Sequence, residues 1–354
     1  MTLKALGRCV PGCSQTVLGD GTAIGTVLSG GTQHVAGRTF STAVRAGGSE
    51  IVKGSAWSSV IYGSGVQSIA RGGSAMNTLI QGGVQDVAGT TLSTFLSAGR
   101  QNVQNGGTAS ATTAAGGQIH VTAGGLLREV TISSRGRLYI SSGASVSGAI
   151  VFSGGENRVS AGGIASATSV AGNQLVWGSA LDAKVKNGGS QVVKGGLVQG
   201  TQVSSGGSLT VYKGVASSIS LLVGGRAEMA PGATLRTAAV SSAGSLFICS
   251  GAKVSDITLK AGSKLTIVNG NTLAGKNSFT GAFVTGSGAC KCLCEQTRPV
   301  KLAKDGSLFL GAGNSMKGFY LDASSAGLSC TGPGTTIGSL KLNAATKVVF
   351  DIGK

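Results

Sequence analysis

Apolar and polar side chains alternate in short runs, and the runs return at a fixed spacing along most of the chain. Take the second glycine of each Gly-Gly pair, or its equivalent, as an anchor. The anchors fall at Gly31, Gly48, Gly65, Gly83, Arg100, Gly117, Gly136, Gly155, Gly172, Gly189, Gly207, Gly225, Gly244 and Gly262. They cover 231 residues in 13 intervals, a period near 17.8. A fixed period in this range marks a solenoid or a repeat array.

Four residues past the anchor stand Val35, Val52, Ile69, Val87, Val121, Ile140, Val159, Val176, Val193, Val211, Met229 and Ile248, while Arg100 is followed by Val103 one residue early. A β-branched residue once per unit suits a strand stacked on its own counterpart. Two residues past the anchor stand Gln33, Gln67, Gln85 and Gln191, and elsewhere Ile119, Leu138, Leu209 and Leu246. Strand side chains alternate faces, so these two positions share one face, which is assigned to the interior. Gln33, Gln67 and Gln85 then form an inward ladder whose amides bond along the stack. Position three points outward and is mostly polar: His34, Ser68, Asp86, His120, Tyr139, Arg158, Thr210 and Glu228, with Ile51, Val192 and Phe247 as exceptions.

A second strand per unit is predicted from runs such as Ser41-Thr42-Ala43-Val44, Asn77-Thr78-Leu79-Ile80 and Asp256-Ile257-Thr258-Leu259, set off by Gly37, Gly54, Gly89 and Gly178. The fold class is therefore all-β, a β-solenoid (β-helix) of two-strand coils of about 18 residues. One coil cannot bury its apolar face alone, so stability comes from stacking. A helical reading fails because apolar residues alternate instead of recurring at three and four.

Residues 1–20 read as an N-terminal cap or a remnant ahead of the repeat, and 21–270 as regular solenoid repeats. Residues 271–305 read as a cysteine-containing insertion around Cys290-Lys291-Cys292-Leu293-Cys294. Residues 306–354 read as further coils with an open C-terminal edge, which would invite pairing with a partner.

Composition sharpens this picture. The chain has 354 residues with 62 Gly and 4 Pro, yet 41% are hydrophobic. Glycine is thus periodic punctuation in a folded chain, not a mark of disorder. The formal charge is +17, from 29 Lys and Arg against 12 Asp and Glu. That favours anionic partners in general. The charges are scattered, however, and aromatics at 4% are too sparse for base stacking, so no specific nucleic-acid partner is expected. No apolar stretch reaches the roughly 18 residues of a transmembrane helix. Met1 to Cys13 lacks the apolar core of a secretory signal, which points to another export route or to a chain without its original signal.

Candidate chemistry is thin. Asp86 and Glu228 share a row eight coils apart, and His34 and His120 lie five coils apart. Asp86 is two coils, about 10 Å, from His120. No nucleophile, base and orienter gather, so the chain is expected not to be an enzyme, with no catalytic, cofactor-binding or metal-binding residue and no cofactor. The seven cysteines, Cys9, Cys13, Cys249, Cys290, Cys292, Cys294 and Cys330, are candidates for structural disulfides or cross-links in an oxidising compartment. The Cys-x-Cys-x-Cys run lacks the spacing of zinc sites. Trp57 and Trp177 are expected to be packing or surface residues.

The units Gly30-Gly31-Thr32-Gln33-His34-Val35, Gly82-Gly83-Val84-Gln85-Asp86-Val87 and Gly162-Gly163-Ile164-Ala165-Ser166-Ala167-Thr168-Ser169-Val170 carry a resemblance. They resemble the G-G-x-Q-x-V-x-x-G-G-x-A-x-x-T-x-V repeat of the adhesin-involved-in-diffuse-adherence family of bacterial autotransporter passengers, over residues 21–270 and more weakly 306–354. The resemblance implies an extracellular or cell-surface solenoid that mediates adhesion or self-association, as in biofilm or aggregation. It implies partners that include further copies of the chain, as homo-oligomer or fibre, with anionic glycans or other cell surfaces as further candidates. Outward Ser and Thr would be acceptors for Ser-linked heptoses. The chain departs from the family in its basic charge and its cysteines, and it carries no membrane-barrel segment. Two rival readings remain: a subunit of an extracellular filament built by end-to-end or lateral packing, and a carbohydrate-active solenoid such as a lyase or tailspike.

Overall fold

The computed structural model describes residues 7–268, 271–279, 283–287, 300–302, 307–310, 315–322, 327–331, 336–341 and 348–351. Among them every regular element is a strand, and no helix is long and apolar enough to cross a membrane. The chain divides into two compact units, Met1–Ser179 and Ala180–Lys354. The division falls inside the stretch that reads as uniformly regular, and no change in the repeat marks it.

Each unit is a β-solenoid, in which a strand pairs in parallel with its counterpart about one repeat later. In the first unit Ser14–Val17 pairs with Thr32–Val35, Thr32–Val35 with Ser49–Val52, and Ser49–Val52 with Val66–Ile69. In the second, Ser190–Gln199 pairs with Ser208–Leu221, and Ser245–Ile248 with Lys264–Val268.

The coil has three strands, which corrects the two-strand reading. Thr32–Val35, Arg38–Phe40 and Ala43–Val44 make one coil; Ser49–Val52, Ser55–Trp57 and Val60–Tyr62 make the next. They define a first, second and third face. The corner between the second and third faces is a single residue with left-handed backbone, such as Ser41 (φ 56°), Ser58 (φ 55°), Asn77 (φ 54°) and Ser93 (φ 58°) in the first unit, or Asp182 (φ 53°) and Asp256 (φ 57°) in the second. The run Ser41-Thr42-Ala43-Val44 begins on this corner. Glycine is the residue that ordinarily signals such a backbone, and most of these corners have none, so the sequence pattern hides them. The corners still keep the ladder: the Ser41 N–H donates to the Trp57 carbonyl at 2.9 Å, and the Ser58 N–H to that of Met76 at 2.9 Å. Stacking thus satisfies backbone groups that an isolated corner would leave bare.

Gly47 and Gly48 show why the glycine pair recurs. Gly47 turns the chain at φ 72°. A Cβ on Gly48 would stand 2.6 Å from the Leu28 carbonyl oxygen of the preceding coil, so only glycine lets the coils approach.

The core is a set of rows along the stack. Val35, Val52, Ile69, Val87, Val121, Ile140 and Val159 are buried in the first unit, and Val193, Val211 and Ile248 in the second. Gln33, Gln67 and Gln85 are buried in the adjacent row, joined by Glu50, Gln101 and Asn157. Amides bond from coil to coil, with Gln85 Nε2 donating to Gln67 Oε1 at 2.8 Å and Gln101 Nε2 to Gln85 Oε1 at 2.8 Å. A second polar row stands just past the corner, at Thr26, Thr42, Ser59, Thr78, Thr94 and Thr112. It supports the first: Gln85 Nε2 also donates to Thr78 Oγ1 at 3.2 Å, and Gln101 Nε2 to Thr94 Oγ1 at 3.2 Å. Asn157 is one methylene shorter than glutamine, and neither amide atom has a hydrogen-bond partner among the described residues.

The coil pattern extends past both expected boundaries. Arg8–Cys9 and Ser14–Val17 already pair with Val27–Leu28 and Thr32–Val35, so the ladder is already under way within residues 1–20. At the other end Thr272–Ala274, Lys276–Phe279 and Phe283–Ser287 pair with Lys253–Leu259 and Lys264–Val268. The ladder therefore runs on into the expected insertion. Cys290, Cys292 and Cys294 lie outside the described residues. Val348–Asp351 pairs with Gly327–Thr331.

Two outcomes follow for stability. Ala111 holds the corner at φ 52°, where a left-handed residue with a Cβ costs roughly 1–2 kcal/mol, offset by glycine's extra chain entropy of about 0.5–1 kcal/mol. Ala111→Gly should raise the urea midpoint of the full chain slightly, and Ala111→Val should lower it clearly. Asn157→Leu, matching Leu138 one coil earlier in the register, should stabilise the chain by about 1–3 kcal/mol, since it removes a buried amide without partners. Denaturant titration checks both.

Candidate interaction surface

The outward positions on either side of the corner are built by the three-strand coil. The last residue of the second face and the first of the third both point to solvent, because the residues next to them point in. In five successive coils of the first unit the second-face position holds Ile24, Phe40, Trp57, Met76 and Leu92, paired in register. The third-face position holds Val27, Ala43, Val60, Leu79 and Phe95, also in register. Leu92 and Phe95 are 45% and 43% exposed, and the others are half-buried against one another. Phe40 and Trp57 stack with ring centroids 5.0 Å apart and planes 12° apart. At about 4.8 Å per coil, the two columns run roughly 19 Å along the stack.

The columns end abruptly. Leu92 is followed in register by Ser110 and then Arg128, and Phe95 by Thr113 and then Thr131. The crest between them is small and polar, with Ser41, Ser58, Asn77 and Ser93 at the corner. A contiguous, partly exposed apolar surface of this kind is a candidate interaction surface. The sequence reading missed it because a two-strand coil places no outward row beside the corner. The signal was present as large apolar residues 16 to 19 apart at Ile24, Phe40, Trp57, Met76 and Leu92.

The first face carries a different row. Asn102 Nδ2 donates to Asp86 Oδ1 at 2.6 Å. The His120 and Tyr139 rings lie 4.6 Å apart, and the Arg158 guanidinium sits 5.7 Å from the Tyr139 centroid. Arg158 also pairs with Glu156, an exposed pair of small energetic weight. Burial, with the nearby charge of Arg100, pushes the His120 ring below its usual range. His34 lies well away in the row, with Ile51, Ser68, Asp86 and Asn102 between it and His120. Among the described residues no group of three or more His, Cys, Asp or Glu could hold a metal ion.

The four described cysteines fall in three places. Cys9 and Cys13 form a disulfide across the first turn. Cys249 is buried just past Ile248, with its Sγ 4.0 Å from Glu228 Oε1. Cys330 lies in the strand Gly327–Thr331. Trp57 belongs to the apolar column, whereas Trp177 follows the first-face strand Asn173–Val176 and is 38% exposed.

The fold and this surface define a β-solenoid with an apolar corner confined to its early coils. No family model matches the sequence, and no curated protein matches it. Among solved structures, the crystal structure of a TibC-catalyzed hyper-glycosylated TibA fragment is similar over 99% of this chain and 100% of that chain, at 24% identity and a TM-score of 0.47.

Replacing Leu92 and Phe95 together by Ser should leave folded stability nearly unchanged, within about 0.5 kcal/mol for each exposed site. The same change should lower the binding of a hydrophobic fluorescent dye to the native chain. Chemical denaturation and a dye titration check the two halves.

Proposed function

We propose that this chain is an adhesin-like repeat protein of the cell surface that associates with further copies of itself through the apolar corner of its first unit. The observation that carries the reading is the pair of apolar columns, which run side by side and in register over five coils. Ten outward residues there carry no charge. Ridges spaced at the coil repeat are complementary to a second set at the same spacing, which suits an isologous contact between two copies. The resemblance of the Gly-Gly-x-Gln-x-Val units to autotransporter passenger repeats supports the same assignment, including an extracellular setting. The reading is of binding, not catalysis, and each further contact along the stack adds avidity without a deep pocket.

Sedimentation velocity of the full chain over a wide concentration range tests this. The wild type should form dimers or larger oligomers. Leu92→Ser with Phe95→Ser should weaken association at least tenfold, since burying one large apolar side chain is worth about 1.5–3 kcal/mol. Ser substitutions of Ile150 and Phe152, exposed on later coils, should change little. A wild type that stays monomeric throughout, or variants that associate alike, would refute the assignment.

A further inference from the structure

The inward polar run from Gln15 to Gln101 has one member that is not an amide. Glu50 stands in register between Gln33 and Gln67 and is wholly buried. At the other steps each glutamine Nε2 donates to the Oε1 one coil earlier: Gln33 to Gln15 at 3.1 Å, Gln85 to Gln67 at 2.8 Å, and Gln101 to Gln85 at 2.8 Å. Gln67 keeps the rule by donating to Glu50 Oε2 at 2.7 Å. The rule then breaks. A carboxylate has no donor to pass on, and Gln33 Oε1 is buried without a hydrogen-bond partner among the described residues.

Glu50 otherwise only accepts. Its Oε1 takes the Thr39 hydroxyl at 2.9 Å, and its Oε2 takes the Ser59 hydroxyl at 3.0 Å as well as Gln67. The side chains that face it are Gln33, Gln67, Thr39, Thr42 and Ser59, and none of them is titratable or cationic. The charged residues of the same and neighbouring coils, Arg38, Arg45, Lys53 and Arg71, are exposed. A buried carboxylate with no cation beside it is strongly disfavoured. Burial pushes the Glu50 carboxyl up from its ordinary value, only partly opposed by its hydrogen bonds to Gln67, Thr39 and Ser59.

We propose that Glu50 is held as a neutral carboxylic acid whose O–H donates to Gln33 Oε1, so that one stored proton completes the ladder and the unit is destabilised as that proton is lost. The inference rests on the ladder geometry and is independent of the proposed function. It does touch the same region, because Thr39 precedes Phe40 and Ser59 lies two residues past Trp57. The acid therefore bonds to the strand that carries Phe40 and to the corner just past the strand that carries Trp57.

The sign follows from linkage. The unfolded chain releases the Glu50 proton near the ordinary value of 4.5, while the folded chain keeps it. Its contribution is full below that pH, falls as pH rises toward the raised folded value, and levels off beyond it. Glu50→Gln supplies a permanent donor and should lack this dependence. Urea unfolding of the full wild-type chain and of E50Q between pH 4 and pH 9 is the test. The folding equilibrium constant of wild type relative to E50Q should fall up to tenfold per pH unit across the window. A ratio that stays constant, or that rises with pH, would overturn the proposal, the latter showing a carboxylate held by its three donors. Carboxyl ¹³C NMR of wild type labelled at its five glutamates needs no variant. One resonance should keep the protonated shift at neutral pH, and five ionised resonances there would equally overturn it.

Discussion

Each coil is held by the peptide hydrogen bonds it shares with the coils before and after it, and that parallel pairing is the constraint from which the other features follow. Strands about 4.8 Å apart leave room for only one kind of neighbour at each position. A residue facing inward meets the same position of the next coil, so rows must be compatible along their length. Valine and isoleucine satisfy this by shape, as from Val35 to Val159. Glutamine satisfies it by passing hydrogen bonds along the stack, as from Gln67 to Gln101. The close approach also explains residues that carry no side chain. Gly48 is glycine because the Leu28 carbonyl oxygen occupies the space a Cβ would need.

Polar rows inside the solenoid cost little only while every member pays its hydrogen bonds forward. A buried polar atom left without a partner is expensive, so the places where the row changes character are the informative ones. At Ile119 and Leu138 the row turns apolar and the question disappears. At Asn157 the side chain is too short to reach a partner, and at Glu50 the group is of the wrong kind unless it carries a proton. The threonine row past the corner lends second partners to the amides. It acts as the support that lets glutamine replace an aliphatic residue in the core.

The outside of the solenoid is under no such constraint, so repetition there has a different meaning. Inward rows repeat because stacking demands it, and their regularity says nothing about function. The outward columns Ile24 to Leu92 and Val27 to Phe95 are large and apolar for five coils and then give way to Ser110, Arg128, Thr113 and Thr131. Stacking does not require that run, since later coils do without it. Its confinement to one stretch is what makes this corner the candidate interaction surface.

The 17.8-residue period, the valine and glutamine rows and the all-β solenoid were determined by the sequence alone, because strand alternation and coil stacking imprint directly on residue spacing. The number of faces was not. The corner at Ser41, Ser58 and Asn77 uses ordinary residues in a left-handed backbone, and only the stacked neighbours that accept their N–H groups make that conformation visible. Without the corner, the spacing of Ile24, Phe40, Trp57, Met76 and Leu92 could not be read as an outward column, and nothing in the linear pattern says that Phe40 and Trp57 stack. Glu50 is the same case in the interior. Its letter breaks the glutamine row, but its meaning depends on Gln33 Oε1 standing empty one coil away, a relation between coils that only the tertiary structure decides.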